Sequence, residues 1–256
     1  MGALDAGRDA RGAGARVSWT FVGHVHTRNS FDSLTDPVAL VKHAALLGID
    51  VLAVTDHGTW QGSVEARDAA AKLGLPLTVI VGSEVWTEQG DVIGLFLTSD
   101  LKETNAPKLC DAIHAQGGLV LLPHPFKWHT LDEDLLRRVD LVEVYNGHTG
   151  RADNTRAQEL AQYRELPQLA GPDAHMLEEI GLARVLFEGP KPADEAALKE
   201  ALLHATRTFV TRPCSIWAPW KSQAIVFARK PTPRDAYLLV RGAVRRLVKP
   251  SEYVVG

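Results

Sequence analysis

Apolar strand-like runs alternate with helix patterns along most of this 256-residue chain. Runs such as 50–54 and 119–122 carry almost no polar alternation, which is typical of parallel strands that helices cover on both faces. Seven or so strand–helix units within roughly 190 residues favour a closed β/α barrel in the α/β class. An open doubly wound sheet is the alternative, although the Gly-rich phosphate loop that normally follows its first strand is absent from the sequence.

Caps and stops give the boundaries of the expected elements. Asp36-Pro37 begins a helix and Gly48 ends it, and similar signals recur along the chain. We predict strands at 17–25, 50–54, 77–81, 92–98, 119–122, 141–145, 168–170, 182–187 and 208–211, and helices at 37–47, 62–73, 106–116, 153–164, 194–204 and 235–248. The domain prediction is a disordered tail at 1–16, a barrel at 17–212 and an extension at 213–256 that packs on the barrel.

Composition excludes several classes of protein. The net charge is −3, which argues against a broad basic surface. We therefore expect no stable nucleic-acid complex. The cysteines, Cys110 and Cys214, are far apart and outside any CxxC spacing, which argues against a disulfide scaffold or thiolate zinc site and favours a cytoplasmic location. Residues 1–16 lack the apolar core of a signal peptide, and no apolar run is long enough to span a membrane, so we expect no membrane among the partners.

Residues that bind metals cluster where the apolar runs end. Carboxyl ends of barrel strands meet at one rim, so side chains from distant positions can converge there. His24 and His26 are two residues apart on a strand and should share a face. Each residue taken alone can be explained without a metal, as a strand cap, a loop histidine or a surface carboxylate. Together they predict a multinuclear metal centre formed by His24, His26, Asp32, His57, Glu84, Asp91, His124, Asp173 and His175.

Other polar and aromatic residues follow the same runs. We predict that Arg28, Lys127 and His148 bind substrate, although solvated loop positions would also explain them. Asp56 is expected to orient a histidine by a hydrogen bond. Glu143 and Asn146 should line the mouth without binding metal. Three tryptophans just beyond ligand residues could stack on a base or sugar, or pack between loops: Trp60, Trp86 and Trp128.

The motifs themselves resemble a known family. HVHTRNSFDS, LGIDVLAVTDHGT, VGSEV, GDVIGLFL, QGGLVLLPHPF, VDLVEVYNGH and AGPDAH, over about residues 20–188, are similar in order and spacing to the polymerase and histidinol phosphatase (PHP) family of metal-dependent phosphoesterases. The resemblance implies a distorted, seven-stranded TIM-like barrel that holds two or three metal ions. It also implies that a metal-activated water hydrolyses a phosphoester.

The resemblance also implies a ligand assignment. His24, His26, Glu84 and Asp173 would hold one ion, and Glu84 with His124 a second. His57 and His175 would belong to a third site, and Asp32 matches another ligand position. Family members often carry histidine where this chain has Asp91, which either supplies an oxygen ligand or leaves the second site more open. The expected catalytic set is His24, His26, Glu84, Asp173 and His175.

The negative charge of a phosphate ester repels nucleophiles, so metal catalysis is the expected mechanism. Divalent ions neutralise that charge and lower the pKa of bound water. The mixed imidazole and carboxylate ligands suit Mn²⁺, Fe²⁺ or Zn²⁺. The leading hypothesis is a hydrolase of a small phosphoester: a phosphomonoester, a nucleotide or a short oligonucleotide end. An amidohydrolase-like enzyme is disfavoured because neither Lys42 nor Lys72 ends a strand. A metal-binding accessory module without turnover is disfavoured because the ligand set is complete.

Overall fold

A computed structural model describes residues 18–248, without the side chains of residues 245–247. The predicted tail at 1–16 and the last eight residues of the predicted extension lie outside this range. The strands are β1 (Ser18–Val25), β2 (Val51–Val54), β3 (Thr78–Thr87), β4 (Gly90–Leu95), β5 (Leu119–Leu122), β6 (Leu141–Asn146), β7 (Gln168–Gly171), β8 (Ala183–Glu188) and β9 (Arg207–Thr211). The helices are α1 (Pro37–Leu46), α2 (Gln61–Lys72), α3 (Ala106–Ala115), α4 (Glu133–Leu136), α5 (Arg151–Tyr163), α6 (Glu195–His204), α7 (Ala218–Arg229) and α8 (Pro233–Val248).

The strands form one sheet in the order β7-β6-β5-β4-β3-β2-β1-β8-β9. The sheet curls until Val25, at the end of β1, bridges Ala174, just beyond β7. The His26 N–H donates to the Ala174 carbonyl at 2.8 Å, and the Ala174 N–H donates to the His24 carbonyl at 3.1 Å. The predicted α/β barrel is therefore confirmed as a nearly closed, barrel-shaped sheet of nine strands rather than seven.

The expectation that the strands run parallel is wrong in two places. Strand β4 is antiparallel to both β3 and β5, and β8 is antiparallel to both β1 and β9. Thr87 pairs with Gly90, so only Glu88 and Gln89 join β3 to β4, a hairpin connection too short for parallel strands. Strand β3 also continues to Thr87 instead of ending near residue 81, which places Glu84 inside the strand.

Helix caps and barrel packing follow local chemistry. The Asp36 carboxylate accepts from the N–H groups of Val38 and Ala39 at 2.9 and 3.0 Å, which begins α1 as predicted. Strand side chains such as Phe21 form a buried cluster that also contains Phe187, and Trp19 stacks on Phe187 at 4.3 Å. This apolar packing rigidly supports the strands whose later residues carry the polar clusters.

The chain after β9 forms two helices, of which the sequence patterns predicted only the second. The Trp220 indole Nε1 in α7 donates to the Leu239 carbonyl in α8 at 3.0 Å. Lys221 pairs with Glu178 at 2.9 Å, which joins α7 to the barrel side. Within residues 18–248, no helix is both long and apolar enough to cross a membrane.

Candidate metal centre

All nine predicted ligand residues come together at one rim of the barrel. They lie near strand ends or in the loops that follow, except Glu84 and Asp91, which lie within the β3–β4 hairpin opposite Ile93 and Trp86. Seven of the nine are buried, and His57 and Asp91 are half-buried. Burial of so many ionisable groups is costly unless each is paired or binds a cation.

Glu84 is the centre of this cluster. Its Oε2 lies 3.3 Å from His24 Nε2, 3.4 Å from His26 Nε2 and 3.1 Å from His57 Nδ1. Its Oε1 lies 3.2 Å from His124 Nε2. The backbone fixes this position, because the Gly58 N–H donates to the Glu84 carbonyl at 2.7 Å. One carboxylate therefore lies close to four imidazoles from three different segments of the chain.

Two aspartates complete the cluster on either side. Asp173 Oδ1 lies 3.3 Å from Nε2 of both His24 and His26. Asp32 Oδ2 lies 2.9 Å from His175 Nε2 and 3.3 Å from His57 Nε2. Each imidazole thus has a carboxylate oxygen at about the separation expected of two ligands that share an ion.

Several buried ligand-type atoms lack hydrogen bonds within the described chain. They are Nε2 of His26, Oδ1 of Asp32 and Nδ1 of His124. Leaving such atoms unsatisfied costs roughly 1–3 kcal/mol each. A cation at the centre would satisfy these atoms, so the residues present fit divalent metal ions.

Among the residues that the structure describes, five sets of side chains have ligand atoms within 4.8 Å of one another. Four of the sets consist only of predicted ligands, and the fifth adds two residues outside the predicted ligand set. The sets are His26, Asp32, His57 and His175; His24, His26 and Glu84; His24, His124 and Asp173; Glu84, Asp91 and His124; and His148, His175 and Glu179.

The pKa values of the side chains in the metal-free cluster differ widely from one another. Burial, with the charges of His175 and His57, lowers the pKa of His26 to about 3. Burial also opposes charge on His57, yet Glu84 and Asp32 raise its pKa to about 9. Burial and the neighbouring Glu84 raise the pKa of Asp91 to about 6. The imidazoles therefore start in different protonation states, which matters for metal binding.

Strained backbone accompanies the candidate ligands. Positive φ angles occur at His24 (59°), His124 (27°) and Asp173 (53°), a region that L-residues other than glycine seldom adopt. The β1–β2 register shifts between Val22 and Val25, as in a β-bulge. His24 and His26 therefore converge through a bulge that redirects a side chain, and not through the simple alternation that the sequence predicted.

Glu143 has a more specific place than the expected lining of the mouth. Its Oε1 lies 2.9 Å from His24 Nδ1, and its Oε2 accepts from the His124 N–H at 3.0 Å and from the Asn146 amide at 2.9 Å. A Cβ at position 171 would lie 2.2 Å from Glu143 Oε1, so glycine is required there. The signal in the sequence is a carboxylate inside the apolar run LVEVYN.

The sequence analysis missed Glu179, a buried residue after β7. Its Oε2 accepts from the His175 N–H at 2.8 Å and the Met176 N–H at 3.1 Å. Its Oε1 lies 3.2 Å from His148 Nε2, and the His148 ring stacks on His175 at 5.2 Å. No strand pattern precedes Glu179, so nothing in the sequence distinguished it from a surface glutamate.

Asp56, which is predicted to orient a histidine from behind the ligands, hydrogen-bonds Ser30 and reaches the His26 ring through the Ser30 hydroxyl. The Asp56 carboxylate accepts from the Thr27 N–H at 2.5 Å and the Thr27 hydroxyl at 2.7 Å. The contact to His26 Nδ1 comes from the Ser30 hydroxyl at 3.0 Å. Asp56 therefore fixes the loop after His26 through the backbone.

The predicted substrate-binding residues have different surroundings. Lys127 Nζ lies 3.8 Å from Asp173 Oδ2 at the cluster. Arg28 instead pairs with Asp36 and, at 3.1 Å, with Glu65. A phosphate contact by Arg28 would require it to leave two carboxylates.

Exposed aromatic rings border the cluster. Trp128 and Trp86 are 85% and 78% exposed, and Trp86 pairs across the hairpin with Asp91. Phe31, which the sequence analysis did not select, stacks on His57 at 4.9 Å. Trp60 instead packs against the core.

Replacing Arg229 with alanine should weaken metal binding. This α7 residue donates to the carbonyls of Arg28 (3.1 Å), Ser30 (2.5 Å) and Ser33 (2.8 Å), and these bonds hold the loop that carries Asp32. Losing such support should reduce metal affinity by about tenfold or more, as measured by titration calorimetry. Arg67→Ala, at an exposed site paired only with Asp68, is the control. Unchanged affinity in Arg229→Ala would show that the loop does not need this support.

The fold and the cluster together are those of a barrel that gathers divalent-metal ligands at its rim. Residues 23–176 match the family model of the PHP domain, and residues 151–206 match that of the PHP-associated region. The chain therefore belongs to the PHP domain family.

Three comparisons illustrate this relationship. The chain is similar to an uncharacterized protein from Methanocaldococcus jannaschii, at 34% identity over 57% of this chain and 93% of the relative. It is 34% identical to the Escherichia coli 5′-3′ exoribonuclease Rnm over 36% of this chain and 31% of that protein. It also resembles the crystal structure of a two-domain protein from Bacteroides vulgatus containing a predicted PHP-like metal-dependent phosphoesterase. That match has a TM-score of 0.64 and 19% identity, and covers 76% of this chain but only 65% of the other.

Proposed function

We propose that this protein is a metal-dependent phosphoesterase that uses two or three divalent ions, Mn²⁺, Fe²⁺ or Zn²⁺. The observation that carries the proposal is the convergence of buried, unsatisfied ligand atoms around Glu84. Membership of the PHP domain family supports the same reaction class. The free, buried cysteines agree with a reducing compartment such as the cytoplasm.

The contacts support a specific distribution of ligands. His24, His26, Glu84 and Asp173 would hold one ion, since both histidines are 3.3–3.4 Å from each carboxylate. Glu84, Asp91 and His124 would hold a second ion, and Asp32, His57 and His175 a third, within the sets described above. The catalytic set is proposed to be His24, His26, Glu84, Asp173 and His175.

The ions would neutralise phosphate charge and lower the pKa of water so that a nucleophile forms near neutral pH. The protein residues then position the substrate. Lys127, half-buried beside Asp173, is placed to hold a non-bridging phosphate oxygen. His148, held by Glu179, is a further candidate for contacting substrate.

The substrate class we favour is a nucleotide or a short oligonucleotide end, within a wider range of small phosphomonoesters. Exposed rings of Phe31, Trp86 and Trp128 border the centre, and aromatic rings stack on bases of any sequence. Similarity to an exoribonuclease over part of the chain points in the same direction.

A hydrolysis screen with added Mn²⁺, which measures release of phosphate and of nucleotide, tests this function. Nucleoside monophosphates, short oligoribonucleotides and sugar phosphates are compared, with His26→Ala beside the native chain. We expect activity to fall by about 100-fold or more in the variant, because a central ligand is removed. His204→Ala, exposed at the end of α6, is the matched control and should retain full activity. Phosphate release that survives His26→Ala would reject the proposal.

A further inference from the structure

One face of α8 is apolar and exposed. Tyr237, Val240, Val244 and Val248 are between 54% and 70% exposed. Their spacing of three and four positions places them in one stripe along the helix. The opposite side of α8 faces α7, where Trp220 donates to the Leu239 carbonyl. Within residues 18–248, nothing covers the stripe.

A basic row accompanies this apolar stripe. Arg234 and Arg241 are exposed and seven positions apart, so they lie on the same side of the helix beside Tyr237. Between residues 229 and 248 the sequence contains six basic residues and one acidic residue, in a chain whose net charge is −3. Positive charge is therefore concentrated in this segment.

We propose that α8 binds the surface of a lipid bilayer that contains anionic headgroups. An apolar face with a cationic border is the pattern of helices that lie in the plane of the membrane interface. The four apolar side chains would enter the acyl boundary, and the arginines would lie among the headgroups. Binding of this kind requires no membrane-spanning segment, so it is compatible with the lengths of the described helices.

Other occupants fit only one of the two features. A nucleic acid would pair with the arginines but leave Val240, Val244 and Val248 in water. A second copy of the chain would bury the valines but would bring two rows of arginines together, which is unfavourable. An anionic bilayer satisfies both the apolar stripe and the basic row.

Flotation with lipid vesicles tests the proposal on the full chain. We expect the protein to float with phosphatidylcholine vesicles that contain phosphatidylglycerol, and to bind pure phosphatidylcholine vesicles much more weakly. Each arginine near such a surface contributes about fivefold, so Arg234→Gln with Arg241→Gln should reduce partitioning by about 25-fold. Val240→Asp with Val244→Asp should abolish it. Leu46→Asp, at an 85% exposed position on α1, is the matched control and should bind normally.

Three results would overturn the proposal. The first is absence of flotation with anionic vesicles at low salt. The second is binding of single-stranded RNA, without vesicle binding, that the arginine variants remove. The third is a dimer in light scattering that the valine variants dissociate while vesicles are not bound. Hydrolysis of a soluble phosphoester should be unchanged in all α8 variants, so this test and that of the proposed function can fail separately.

Discussion

Glu84→Gln will lose most of its bound metal, and hydrolysis will fall by about 100-fold or more. Glu84 lies 3.1–3.4 Å from four histidines and is buried, so its charge is the shared counterion of the cluster. Glutamine keeps the shape but cannot supply an anionic oxygen. The metal-free variant should also unfold at a lower temperature, because the protonated histidines lose their partner inside the protein.

Glu88→Gln is the control for this substitution. Glu88 is exposed and only four residues along the same hairpin, so its replacement tests for general effects on β3 and β4. Metal content by elemental analysis, phosphate release and thermal unfolding are measured for both variants. A Glu84→Gln protein with normal metal content and activity would refute the central role of this carboxylate.

Metal affinity will rise steeply between pH 6 and about pH 9. Burial opposes charge on His24, His57 and His175, but the neighbouring carboxylates raise the pKa of each, to about 9 for His57. His57 is therefore protonated in the metal-free protein at pH 7 and must lose its proton to bind a metal, and the raised pKa values of His24 and His175 act in the same direction. Every displaced proton gives a factor of about ten in affinity per pH unit, until the pH passes the raised pKa.

The buried carboxylates of Glu84 and Asp173, unlike His57, do not change protonation state between pH 6 and pH 9. Burial would raise the pKa of Glu84 and Asp173, but nearby histidines hold both well below their usual values, so they stay ionised. Calorimetry in buffers of different ionisation enthalpy counts the released protons, and we expect at least one released proton at pH 7.5, from His57. His57→Gln should release fewer protons than His204→Ala. Affinity independent of pH between 6 and 8 would contradict these protonation states.

Much of the barrel follows from local patterns. Asp36-Pro37 begins a helix as its cap predicts, the helix predicted at 106–116 forms as α3, and apolar runs such as 119–122 become buried strands. The hairpin of β3 and β4 was missed because its apolar residues fit parallel and antiparallel pairing equally well. Only the register of Thr87 with Gly90 reveals the direction.

Helix α7 was missed for a different reason. Its sequence, APWKSQAIVFAR, has weak amphipathic periodicity. Packing against α8 and the pairing of Lys221 with Glu178 stabilise a helix that local helix propensity alone does not predict.

The sequence alone determined which residues can bind metal and that strand ends carry them, because ligand chemistry and hydrophobic periodicity are local properties. Only the tertiary structure decided how these residues meet: Glu84 among four histidines, Glu143 behind His24, and Arg229 on the loop of Asp32. Those contacts join residues far apart in the chain, and their geometry depends on a bulge, a hairpin and helix packing that no short segment encodes.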